Sequence, residues 1–204
     1  MKKTLRILQF TALAIGLFTI TQSNVLAEPC EKKSEQKKNA EQLQVVSAKN
    51  KYGHHALTVQ IVINAPPNLV WEAIRENRLA DPDVQYSKFT AINETERMLE
   101  QKYTSLPIFG ATTCTLRLEE ELHKRIDYNL IKSDRLSEFE GSWVLSPSED
   151  QHSTTLELSN HLKLNIPVPQ RLIDAFAAPK MKTRVMWVKN LAENKNKMQI
   201  ASRE

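Results

Sequence analysis

Apolar and polar residues alternate along most of this chain. Leu57, Val59, Ile61 and Ile63 share one parity, with Thr58 and Gln60 on the other. A period of two predicts a strand with one dry face. Asn64-Ala65-Pro66-Pro67-Asn68 ends it, and the period then lengthens. Val70, Trp71 and Ile74 fall on one helical stripe, and Pro67 and Asn68 suit a helix start. Arg78–Val84 reads as a second short helix, with Asp81 as N-cap and Pro82 at the first helical position. Alternation then returns in Lys88–Asn93, Arg97–Ser105, Thr112–Leu122, Arg125–Ile131, Leu136–Leu145 and Thr154–Leu164, with turn residues between the segments. Pro167-Val168-Pro169 closes the series and opens a helix. Leu172, Phe176, Val185, Val188 and Leu191 form its apolar stripe, with Lys182, Arg184 and Lys189 around it. Pro179 is expected to kink or break that helix.

The implied class is α+β: a curved antiparallel sheet of about seven strands wrapped on a long C-terminal helix, with two short helices after the first strand. An antiparallel sheet with one dry face needs a cover, and the strongest amphipathic helix supplies it. A cavity between sheet and helix is expected, of the kind that takes an apolar ligand.

The first segment changes the reading of composition. Residues 1–27 join Lys2, Lys3 and Arg6 to an apolar run from Ile7 to Ile20 and the tripeptide Val25-Leu26-Ala27. These are the parts of a secretory signal peptide cleaved after Ala27, which predicts a periplasmic or secreted protein. The run is shorter than the roughly 20 residues that span a bilayer. The net charge of +4 owes most of its excess to this leader. Residues 52–170 hold 11 basic against 17 acidic residues, and residues 171–204 hold eight against three. The phosphate-binding footprint of a nucleic-acid protein is missing from the body of the chain. Residues 28–55 read as a polar flexible tail, 56–194 as the domain and 195–204 as a frayed end. Export makes a disulfide between Cys30 and Cys114 chemically feasible, provided that the tail folds back.

The chain resembles the START-like (SRPBCC, helix-grip) superfamily. The resemblance rests on Leu57–Ile63, on Ala65-Pro66-Pro67-Asn68-Leu69-Val70-Trp71 entering the first helix, on Phe139-Glu140-Gly141-Ser142-Trp143-Val144-Leu145, and on the closing helix from Pro169. It covers about residues 56–194. The superfamily includes polyketide cyclases, coenzyme-Q-binding proteins, lipid-transfer domains and plant hormone receptors. The resemblance therefore implies a cavity for a hydrophobic ligand, but fold alone does not choose among these functions.

Candidate chemistry is sparse. His54 and His55 are adjacent and point to opposite faces of a strand, and His123, His152 and His161 fall in turns or outward, so no metal or other cofactor is expected. No G-x-S-x-G occurs, and Cys114 faces inward as a small core residue, so no catalytic residue is assigned. Glu120 shares the inward parity of Leu118 and Leu122, within reach of a cavity mouth. Asn160 is the most informative polar residue, because it shares parity with Leu156, Leu158, Leu162 and Leu164. A buried amide needs a partner, either a neighbouring strand or a ligand head group. Tyr103 and Tyr128 also read inward. Trp143, Phe176 and Leu158 complete the candidate lining, although packed core is the commoner fate of such residues. Gly141 is expected to mark a bend or bulge. The function expected is an exported binder or carrier of a lipid-, quinone- or polyketide-like molecule. The alternatives are a cyclase or dehydratase using a cavity carboxylate, and an envelope interaction module making transient contact with a membrane surface.

Overall fold

The computed structural model describes residues 43–50, 53–106 and 110–202. The leader, Cys30 and residues 107–109 lie outside these residues. Eight strands form one antiparallel sheet: β1 (Gln44–Lys49), β2 (His55–Ile63), β3 (Val84–Ala91), β4 (Glu96–Leu106), β5 (Gly110–Glu121), β6 (Arg125–Ser133), β7 (Leu136–Pro147) and β8 (Thr154–Leu164). Their order is β1-β2-β8-β7-β6-β5-β4-β3. Helix α1 (Pro67–Ala80) follows β2, and helix α2 (Gln170–Ala201) closes the chain. This is the START-like helix-grip arrangement. No described helix is long and apolar enough to cross a membrane.

The inward residues of β2 are buried as the alternation requires, as are Cys114, Leu116 and Leu118 of β5 and Leu156, Leu158 and Leu164 of β8, whereas Asn160 and Leu162 are half-buried and the outward His161 is buried. Leu118, Ile126, Leu156 and Leu158 form the floor of the core. Leu69, Val70 and Ile74 of α1 and Met181, Val185 and Val188 of α2 cover that floor. Leu122 departs from its expected inward place: β5 stops at Glu121, and Leu122 is exposed in the turn.

The second short helix is absent, and α1 runs unbroken to Ala80. Asp81 ends the helix instead of starting one, with φ −63° and ψ 116°. A proline clashes with a helical residue before it, so Pro82 pushes Asp81 into extended backbone. Asp81 Oδ1 then accepts from the Asp83 N–H at 2.9 Å, and β3 begins at Val84. Two other segments also differ. Gln44–Lys49, within the segment read as a tail, pairs along β2 from Gln44↔Gln60 to Lys49↔His55. The C-terminal helix continues to Ala201 through most of the segment read as frayed, and Pro179 lies inside it without breaking it. A proline there removes one N–H, not the flanking packing, and Met181, Val185 and Val188 seat the turns that follow.

Candidate functional site

A single row across three strands organises one wall of the cavity. Tyr128 on β6 faces Gly141 on β7, which faces Asn160 on β8. Gly141 has no side chain to stand between the other two. A Cβ there would lie 2.5 Å from the Tyr128 hydroxyl, 2.6 Å from Asn160 Oδ1, and closer still to the Ser159 carbonyl. The glycine thus serves a close approach, not the bend or bulge expected of it. Across this gap the Tyr128 hydroxyl donates to Asn160 Oδ1. The Asn160 amide N–H groups have no partner among the described residues.

Two guanidinium groups enter this space from the helices. Arg78, in the last turn of α1, has a side chain only 12% exposed, and its nearest carboxylate oxygen is Glu120 Oε1 at 4.0 Å. Burial pushes its pKa down, and Glu120 only partly opposes the shift. Glu120 is itself engaged, since Arg97 Nε donates to its Oε2 at 3.1 Å. Arg184 of α2 is better satisfied: its Nε donates to Asp81 Oδ2 at 2.7 Å, and Asp83 lies 3.8 Å from a second nitrogen. Burial opposes its charge, but Tyr103 and Asp81 more than offset that, so its pKa is raised. The Tyr103 hydroxyl donates to Gln101 Oε1 at 3.1 Å, and the Gln101 amide donates to Ser87 Oγ at 3.0 Å. Burial pushes both phenols, Tyr103 and Tyr128, far up, so both remain neutral donors.

The cavity has two adjoining lobes. The inner lobe, about 60 Å³, holds these polar groups against Leu99, Leu116, Leu118, Phe139, Trp143 and Leu158. The second lobe, about 100 Å³, is chiefly apolar and lies between Leu136, Leu162, Leu164, Ile173, Phe176 and Met181. Tyr103, Phe139, Asn160 and Arg184 line both. Of the residues singled out from sequence, Tyr103, Tyr128, Trp143, Leu158 and Asn160 surround the inner lobe, and Phe176 stands at the second, 38% exposed. Glu120 is not among the lining residues of either lobe; it pairs with arginines beside the inner one. Cys114 is a buried core thiol, and burial pushes its pKa up to about 12.

Sequence reasoning missed Arg78, Asp81, Gln101 and Arg184. The signals were present: Arg78 follows Val70 and Ile74 at steps of four, Arg184 sits between Met181 and Val188 on their stripe, and Gln101 shares the parity of Leu99 and Tyr103. A wider groove of about 460 Å³ lies on the other face of the sheet, between β1 and the outward side chains of β6 to β8. Two pairs of its polar groups meet each other, Arg125–Asp127 at 2.7 Å and Thr58–Ser159 at 3.1 Å.

No family model matches this chain, and no curated protein does. Solved structures match it with very low sequence identity. A STAR-related lipid transfer protein from Xanthomonas axonopodis is 13% identical, with a TM-score of 0.59 over 74% of this chain and 94% of that one. A START superfamily protein from Mycobacterium smegmatis is 13% identical, with a TM-score of 0.58 over 69% and 99%. An aromatase/cyclase from Streptomyces is 15% identical, with a TM-score of 0.58 over 69% and 94%. Proteins of these several activities share one architecture, and this chain has it: the fold is START-like.

Proposed function

We propose that this protein binds and carries a small hydrophobic molecule bearing a carboxylate or similarly oxygen-rich head. The observation that carries this reading is Arg78, a largely buried guanidinium whose nearest carboxylate is 4.0 Å away, in the inner lobe of the cavity. A buried cation without close partners is costly, and an anionic or oxygen-rich group offsets that cost. The Asn160 amide N–H groups border the same space and orient such a head. The apolar body leaves water in the second lobe, which supplies the driving force.

The lobes are small. An apolar cavity of about 150 Å³ holds a benzene ring. Lobes of this size suit a ring-sized group, and a lipid, quinone or polyketide-like body needs the start of α2 to move away. Ile173 is the only buried residue of α2 before Met181, which supports that movement. The leader read in residues 1–27 supports an exported location.

A cavity-carboxylate enzyme is less well supported. The two carboxylates that line the lobes, Asp81 and Asp83, pair with Arg184 and Lys180. The surface-module reading is weaker too, because Lys180, Arg184, Lys189 and Lys195 are paired with carboxylates of the domain. Native mass spectrometry of protein purified from the exported fraction tests the proposal. A one-to-one adduct that solvent extraction releases as an apolar acid is the result expected. Unliganded protein that takes up no added apolar acid would contradict it.

A further inference from the structure

The histidine spacing gives no metal motif, yet the sheet register brings distant residues together on its outer face. Glu140 on β7 is the direct cross-strand neighbour of His161 on β8, and the β1–β2 turn places His54 against both. The ring centroids of His54 and His161 are 4.9 Å apart. His54 Nδ1 lies 2.7 Å from Glu140 Oε1 and 4.0 Å from Glu138 Oε2. His161, only 8% exposed, has its Nε2 2.9 Å from Glu138 Oε2. One donor atom from each of His54, Glu140 and His161 lies within 4.8 Å of the others.

The hydrogen bonds fix what must lie between these groups. His161 Nδ1 is 2.7 Å from the His55 carbonyl, which only accepts, so this nitrogen carries a proton. The neutral ring then turns a lone pair at Nε2 toward a carboxylate oxygen, which also only accepts. A proton or a metal ion must sit between them. Between His54 Nδ1 and Glu140 Oε1 the proton of one neutral tautomer suffices, and that oxygen also accepts from Asn50 Nδ2 at 2.5 Å. A ring nitrogen tied to a backbone carbonyl is the usual outer support of a metal-binding histidine.

We propose that His54, Glu138, Glu140 and His161 bind one divalent transition-metal ion of the zinc class. Two imidazoles with two carboxylates suit such an ion. Each ligating nitrogen must be free of its proton when the ion binds, so metal and protons compete for the site. Donors around a tetrahedral zinc stand roughly 3.3 Å apart, from bonds of about 2.0 Å. His54, with its side chain 46% exposed, is free to swing inward by that amount. Lys163 holds Glu138 Oε1 at 2.7 Å and leaves Oε2 for the ion.

The test uses untagged full-length protein stripped with a chelator and titrated calorimetrically with Zn²⁺. Saturable one-to-one binding is expected, weakened at least tenfold in His161→Gln and in Glu140→Gln and unchanged in the remote His152→Ala. Cobalt(II) should give the visible absorption bands of a tetrahedral site. Should His161→Gln not fold, as judged by metal-free melting, His54→Ala on the exposed side decides. No saturable binding, or equal affinity in the wild type and the ligand variants, would overturn the proposal.

Discussion

Gly141 shows how much a missing side chain contributes. The Tyr128–Asn160 contact crosses β7 only because nothing projects from it there. Gly141→Ala should cost about 1–3 kcal/mol by overpacking, read as a lower urea midpoint. An unchanged midpoint would show that the row has room to spare. Arg78→Met should behave oppositely. Replacing a poorly paired buried charge with an apolar chain of similar volume is often neutral or stabilising, so the fold should hold while affinity for an acidic ligand falls. Cys114 gives a pH prediction. With its pKa near 12 the thiol stays protonated below that value, leaving roughly one part in ten thousand as thiolate at pH 8. A thiol reagent should modify it only after denaturant is added, and rapid native labelling would refute that. Parity alone made Tyr103, Tyr128 and Asn160 legible as inward residues. It did not reveal Arg78 and Arg184, because a charged helical residue is assigned to solvent until a partner is seen, and the partners Asp81 and Glu120 are distant in sequence.

The elements divide by how strongly one residue dominates its neighbours. Strand β8 was read with its observed bounds, Thr154–Leu164, because leucines recur at every second position on either side of Asn160. The Asp81-Pro82 pair was ambiguous: the same two residues cap a new helix or stop an old one. The choice fell to α1, whose buried stripe continues through Asn77. Strand β1 was hidden because an edge strand with exposed Val45 and Val46 carries little buried pattern. In α2, Lys189 was placed beside the apolar stripe yet is fully buried. Its Nζ donates to the Val62 carbonyl at 2.9 Å and to Glu193, joining the helix to the end of β2. Glu193 also accepts from the Asn64 N–H at 2.9 Å. Lys189→Ala should therefore cost about 2–5 kcal/mol in chemical denaturation, since it empties a buried site and leaves the half-buried Glu193 carboxylate without its cation. A loss below 1 kcal/mol would mean that water reaches the junction.

At the scale of the molecule, the one-sided sheet made the α+β class and the covering helix legible from period alone. The size and polarity of the enclosed space were not legible, because they depend on how closely α2 approaches the sheet. The result is a small cavity with an apolar outer lobe and a cationic inner end, consistent with a carrier that grips a head group and opens for the rest. A titration of naphthoate into wild-type and Arg78→Met protein tests this most directly. The account predicts one-to-one binding to the wild type, at least tenfold weaker in Arg78→Met and weaker again for the neutral naphthyl alcohol. Equal affinity in the two proteins, or no binding by either, would contradict it.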